Sequence, residues 1–351
     1  MKFSRDRPHY AVRVIRLISL AAAASSAFAQ GALIPGELAR QVTFEQPSPF
    51  TRSAVLISRL LTPRQRERQL SALAANAEAL AAYALDLGAE RFSVYLPKQQ
   101  PAAGYGLLVF IPPWEDARLP LGWSSVLDRI GLIFATAERS GNSESIPGRR
   151  IPLALTAADA LMRRYPVDPN RIFISGFSGG SRVAFRLALA FPDIFAGVVL
   201  NSGSDPVGSS YDPLPSPDLM SLLQTRTRFV FVTGEHDEIN LFQDAHTRAS
   251  LSAWCVNRTR AVMRSHVGHE VMDGNALAEA LGALERAYPD DPARGRCQAS
   301  MLARVQHARA ETAVLQAQPQ SSQAQKQLDR IDQEFGGLLE EKPTQTLTPS
   351  D

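Results

Sequence analysis

Two cysteines in 351 residues are too few for a disulfide-built scaffold. No run of apolar residues approaches the roughly 20 that span a bilayer. Charge of one sign is scarce too, with 37 Lys and Arg against 35 Asp and Glu. Even that small excess is local: residues 1–29 hold five basic side chains and one acidic one. Residues 30–351 then carry 32 basic and 34 acidic side chains, a formal −2. That balance leaves no electrostatic footprint for nucleic acid. What is present is ordinary for a globular chain: 45% apolar, 21% charged and 7% aromatic residues, far from the composition of disordered proteins.

The charge at the start has its own reading. Lys2, Arg5, Arg7, Arg13 and Arg16 precede Leu17-Ile18-Ser19-Leu20 and a run of alanines, and small residues lead to Ala27-Phe28-Ala29. A basic n-region, a short apolar h-region and an A-x-A site make a secretory signal peptide over residues 1–29, cleaved near Ala29/Gln30. No cysteine follows that site to accept a lipid, so the expectation is a secreted or periplasmic protein without a membrane span. In an oxidising compartment, Cys255 and Cys297 are expected to form one disulfide around a segment that includes His266 and His269.

Residues 30–88 read as a helical lead-in, with Thr62 as N-cap and Pro63 at the first helical position of one helix. From residue 89 short apolar strands alternate with helices. Strands are expected at 91–96, 106–111, 131–135, 171–175, 197–200, 228–232 and 261–263, and helices at 153–164, 181–190 and 275–288. This alternation predicts an α/β fold with a mostly parallel central sheet covered by helices, over residues 89–297. Residues 298–340 read as a helical C-terminal extension. Its stripe Leu328, Ile331, Phe335 and Leu338 suits docking on the core. Residues 341–351 read as a disordered tail.

The chemistry concentrates at Gly176-Phe177-Ser178-Gly179-Gly180, between a strand and a helix. A G-x-S-x-G turn there raises its serine above the sheet edge on a strained backbone. Ser178 is the candidate nucleophile. Its acid is sought just after a late strand, where Asp237 is preferred to Asp205, Glu235 and Glu238. Its base is sought after the following strand, where His269 is preferred to His266 because Gly268 lets the loop turn the imidazole back. His236 is expected to shape the pocket. A metal reading of His266, His269 and Glu270 lacks the spacing that aligns two imidazoles on a helix. Neither a metal nor any other cofactor therefore enters the expectation. For a developing oxyanion, Gly179 N–H is one candidate donor. The other is Trp114, the first residue after Pro112-Pro113 with an N–H, and its indole could equally be a plain packing aromatic.

The chain resembles the α/β-hydrolase superfamily, and within it the polyhydroxybutyrate-depolymerase-like and feruloyl-esterase-like secreted esterases. The resemblance rests on Arg91-Phe92-x-Val94-Tyr95-x-Pro97, Tyr165-Pro166-Val167-Asp168-Pro169-Asn170-Arg171-Ile172, the turn at 176–180, Phe191-Pro192-Asp193-x-Phe195-Ala196-Gly197 and Gly268-His269. It spans roughly residues 89–290 and implies an α/β-hydrolase fold with nucleophile, acid and base at Ser178, Asp237 and His269. Where that family often has His-Gly in the oxyanion loop, this chain has Pro112-Pro113-Trp114. The expected activity is a serine esterase acting on small-molecule or polymeric esters. The alternatives are a serine peptidase of the same superfamily and a non-catalytic envelope binding protein that contacts a partner through its C-terminal extension.

Overall fold

A computed structural model describes residues 33–75, 85–209, 211–288, 292–318 and 321–340. The signal peptide read at 1–29 and the tail read at 341–351 lie outside the described residues. The described residues belong to one compact unit, built on an eight-stranded sheet. Its strands are β1 (Leu38–Val42), β2 (Phe92–Tyr95), β3 (Tyr105–Ile111), β4 (Leu132–Ala137), β5 (Val167–Phe177), β6 (Gly197–Asn201), β7 (Arg228–Gly234) and β8 (Thr259–Arg264). Across the sheet they lie in the order β1-β2-β4-β3-β5-β6-β7-β8. The pairs β1–β2 and β2–β4 are antiparallel, and every other pair is parallel.

Strands β3, β4 and β6 are buried along their whole length, as continuous apolar runs require when helices cover both faces. Side chains alternate between two core clusters. Leu107, Val109, Ile111, Ile172, Ile174, Phe229 and Phe231 join one, while Leu108, Phe110, Phe173, Val230 and Val232 join the other. The first cluster is closed by α1 (Ser53–Leu60), α4 (Ile151–Arg164) and α5 (Gly179–Ala190). The second is closed by α3 (Trp123–Ile130) and α8 (Gly274–Glu285). Asp273 caps α8 by accepting from Ala276 N–H at 2.9 Å.

Two segments differ from the sequence reading. The lead-in is not wholly helical: Leu38–Val42 pairs antiparallel with β2 as an edge strand, and between Ala39 and Val42 the register shifts. Its residues are mostly polar or half-exposed, so no buried face marks it in the sequence. Between β6 and β7, where no helix is expected from the sequence, lies α6 (Pro217–Thr225). One further helix, α7 (Glu238–Ala253), follows β7.

The extension forms α9 (Arg294–Ala317) and α10 (Ser322–Phe335). Leu328, Ile331, Phe335 and Leu338 are buried in the first core cluster, and Phe335 meets Trp254 edge-on at 5.7 Å. Polar contacts tie α10 to α2 (Pro63–Ala75). Thr62 Oγ donates to Asp332, Arg64 N–H donates to the same carboxylate at 3.0 Å, and Arg64 pairs with Asp329 at 2.8 Å. A disulfide joins Cys255, just past the end of α7, to Cys297 in the first turn of α9, with Cα atoms 5.8 Å apart.

Candidate active site

Strand β5 ends at Phe177 and α5 begins at Gly179, leaving Ser178 alone on the turn with φ 55° and ψ −120°. Side chains larger than hydrogen are excluded on both sides. A Cβ on Gly176 would run into the backbone of Gly180, and one on Gly180 into the carbonyl of Ile111. The strain of a non-glycine residue at positive φ is held by the hydrogen bond from Ser178 N–H to Asn201 O, 2.9 Å.

His269 sits in the loop between β8 and α8, its ring against Phe177 at 4.9 Å between centroids. Its Nε2 lies 2.9 Å from Ser178 Oγ and its Nδ1 2.7 Å from Asp237 Oδ2. Asp237, at the start of α7, is buried at 7% exposure while the His269 side chain keeps 45%. Burial pushes the Asp237 carboxyl pKa up, but hydrogen bonds from His269, Asn240 and Ser202 outweigh it and hold the group below the ordinary carboxylate range. An anionic Asp237 fixes the proton of the imidazole on Nδ1 and leaves Nε2 to accept from the serine.

The strand order, with an elbow serine after β5, a carboxylate after β7 and a histidine after β8, decides the architecture. The fold is that of the α/β-hydrolases. No protein-family model matches the chain. It is similar to a poly(3-hydroxybutyrate) depolymerase of Ralstonia pickettii, at 29% identity over 98 residues, covering 24% of this chain and 20% of that protein. It is also similar to NocK of Nocardia uniformis subsp. tsuyamanensis, named as an esterase, at 29% identity over 177 residues covering 46% and 50% of the two chains. The chain thus spans half or less of the length of these relatives. Among solved structures it aligns with a ferulic acid esterase at 16% identity and a TM-score of 0.43, covering 57% of this chain and 93% of that one. An acetyl xylan esterase from Aspergillus awamori gives 15%, 0.41, 56% and 94%.

The other sequence candidates fall elsewhere in this fold. Asp205 lies 3.2 Å from Arg182 Nε. Glu235 accepts from His266 N–H at 2.9 Å, Glu238 opens α7 on its exposed side, and the His266 side chain is 90% exposed. The three residues of the metal reading are not brought together as ligands, because both nitrogens of His269 face Ser178 and Asp237. A different set, Glu235, His236 and His266, places potential ligand atoms within 4.8 Å of one another on the exposed rim. Trp114 packs on Phe110 and Phe177 with ring centroids 6.1 and 6.2 Å away, and the Arg118 guanidinium stacks over it at 4.2 Å. Its indole therefore walls the same corner as Phe177. Gly179 is the first residue of α5, where backbone N–H groups have no partner within the helix.

Sequence reasoning missed the residues that support these groups. Asn240 Nδ2 donates to both Asp237 oxygens at 2.8 and 3.0 Å, and its Oδ1 accepts from Arg182 Nη2 at 3.3 Å. The only sequence signal is its position three residues after Asp237 on a helix, which returns it to the same face. Arg150, buried at 3% exposure, donates to Ser140 O at 2.8 Å and Pro112 O at 3.0 Å. Burial pushes its pKa down to about 10, still well above neutrality. It ties the loop after β3 to the loop after β4 from below. No sequence pattern announces that contact.

Proposed function

We propose that this protein is a serine hydrolase of carboxylic esters, and that Ser178, His269 and Asp237 are its catalytic triad. The observation that carries the reading is the unbroken line of contacts from Ser178 Oγ through His269 to Asp237, at 2.9 and 2.7 Å. In the first half-reaction, Ser178 Oγ attacks the ester carbonyl carbon while His269 Nε2 takes the hydroxyl proton. The carbonyl π electrons move to oxygen, where Gly179 N–H stabilises the charge. Collapse expels the alkoxide, which leaves as alcohol with the proton from His269. Water then repeats the sequence on the acyl-enzyme and releases the acid. Asp237 stays ionised throughout and stabilises the imidazolium.

The ester class is supported by the relatives' names, a polyester depolymerase and an esterase. Export through the leader at residues 1–29 belongs to the same proposal, supported by the Cys255–Cys297 disulfide, since such bonds persist in oxidising compartments. Among the described residues, no helix is long and apolar enough to cross a membrane.

A fluorophosphonate probe tests the chemistry. An adduct on the Ser178 peptide, and loss of ester hydrolysis by at least about a thousandfold in Ser178→Ala, are expected. Wild-type turnover of none among acetyl, feruloyl, short-chain and polymeric esters, with no adduct, sinks the reading. The same panel separates the acyl groups and, with a peptide substrate added, the peptidase alternative.

A further inference from the structure

The corner opposite His269 holds a side chain that the reaction above does not use. Asn142 lies on the loop after β4, and its carboxamide rests against Gly179. A Cβ built on Gly179 would overlap Asn142 Oδ1 and lie 3.0 Å from Nδ2. Any residue but glycine at 179 would displace this amide. Among the described residues the carboxamide makes no hydrogen bond, and Asn142 is exposed to the space above the elbow. A polar group held free at such a place is available to a ligand.

The loop that carries it is fastened. Asn142 N–H donates to Pro113 O at 3.1 Å, Arg139 N–H to Glu115 O at 2.6 Å, and Ser143 Oγ to Glu115 Oε1 at 2.6 Å. Arg150 joins Ser140 to Pro112 beneath these contacts. Asn142 is therefore fixed to the segment that in the α/β-hydrolase plan faces the oxyanion. In this chain that segment opens with Pro112 and Pro113, neither of which has an N–H. The first two residues of the segment thus supply no backbone donor, Trp114 N–H is the first that could, and an amide side chain has been placed on the same side.

We propose that Asn142 Nδ2 donates a hydrogen bond to the oxyanion formed on Ser178, beside Gly179 N–H, on the side where Pro112 and Pro113 supply no N–H. The inference rests on the ester-hydrolase reading. The two ends of a carboxamide exchange by a half-turn about Cβ–Cγ, so either face toward Gly179 can present the N–H₂. A hydrogen bond to the carbonyl oxygen strengthens as negative charge develops there, so its effect belongs to kcat.

The test compares wild type, Asn142→Ala and Asn142→Asp on an ester that the wild type turns over, with fluorophosphonate labelling of Ser178 as the independent check on the parent reading. Loss of wild-type turnover and labelling would indict that reading; the comparison among variants addresses Asn142 alone. Asn142→Ala is expected to lower kcat by roughly a hundredfold, with KM within about threefold and thermal midpoint unchanged. Asn142→Asp, a near-isostere that places an anion there, is expected to fall lower still. A trifluoromethyl ketone, which forms the tetrahedral adduct, should bind Asn142→Ala more weakly by the same factor as the loss in kcat/KM. Retention of kcat within about threefold in Asn142→Ala, or loss of activity with unchanged affinity for the ketone, overturns the proposal.

Discussion

Replacing Asn240 by Ala is the sharpest probe of how the acid is held. Asn240 is 6% exposed and its amide spans both oxygens of Asp237 at 2.8 and 3.0 Å. A hydrogen bond to a charged group contributes about 1.5–3 kcal/mol. Counting the shared amide as one such bond, about 2 kcal/mol of preference for the carboxylate is lost. Asp237 then keeps His269 and Ser202 as partners but rises toward and past the ordinary Asp value. The sign follows from linkage. The folded-state pKa of Asp237 is depressed, so its contribution to stability is present above the unfolded value and fades as pH falls through the folded one. Asn240→Ala should therefore be about 2 kcal/mol less stable than wild type near neutrality, with the gap closing as pH falls through the depressed wild-type pKa and the carboxyl is protonated in both proteins. The acid limb of kcat/KM should move to higher pH, since Asp237 must be ionised to orient His269 and in the variant it protonates sooner as pH falls. Urea melts at several pH values and a pH–rate profile measure both effects. A stability gap that is constant from pH 3 to 8, with an unmoved acid limb, would refute the argument.

Two other perturbations follow from the packing. Cys255→Ser opens a bridge between residues 42 apart in sequence, and the chain-entropy model assigns that closure about 4 kcal/mol, to be read as a lower urea midpoint that added reductant reproduces in wild type. Phe335→Ala removes a ring wedged against Trp254 and should cost about 3–5 kcal/mol. Its near-ultraviolet circular dichroism from Trp254 should change while Ser178 labelling survives.

The central sheet was legible because β3, β4, β6 and β7 are continuous apolar runs, and such runs have one use in an α/β chain. Edge strand β1 was not: Leu38-Ala-Arg-Gln-Val has neither alternation nor a buried face, and its pairing is decided by β2 rather than by itself. Helix α6 carried a readable start, Ser216 before Pro217, which the surrounding prolines obscured. Ser178, Asp237 and His269 could be named because each sits at a strand end whose place in the topology was already implied. Asn142 and Arg150 act through contacts across loops that no spacing encodes, and Asn240 is marked only by its place three residues after Asp237. Asn142 is tied to Gly179 and Pro113, 37 and 29 positions away, and only the folded chain makes them neighbours.

The clasp between α2 and α10 bears on how the protein can be divided. Thr62 and Arg64 from the early chain grip Asp329 and Asp332 from the late chain, and the strands run between them. A fragment trimmed to residues 89–297 would retain every atom of the proposed triad. It would also bare Trp254, Met220 and Leu223 on one flank and strip the sheet of β1 on the other. The shortest piece that carries the proposed triad is therefore not the shortest piece that keeps this core covered. The segments at 38–64 and 322–338 belong to this core as fully as the loop that holds Ser178.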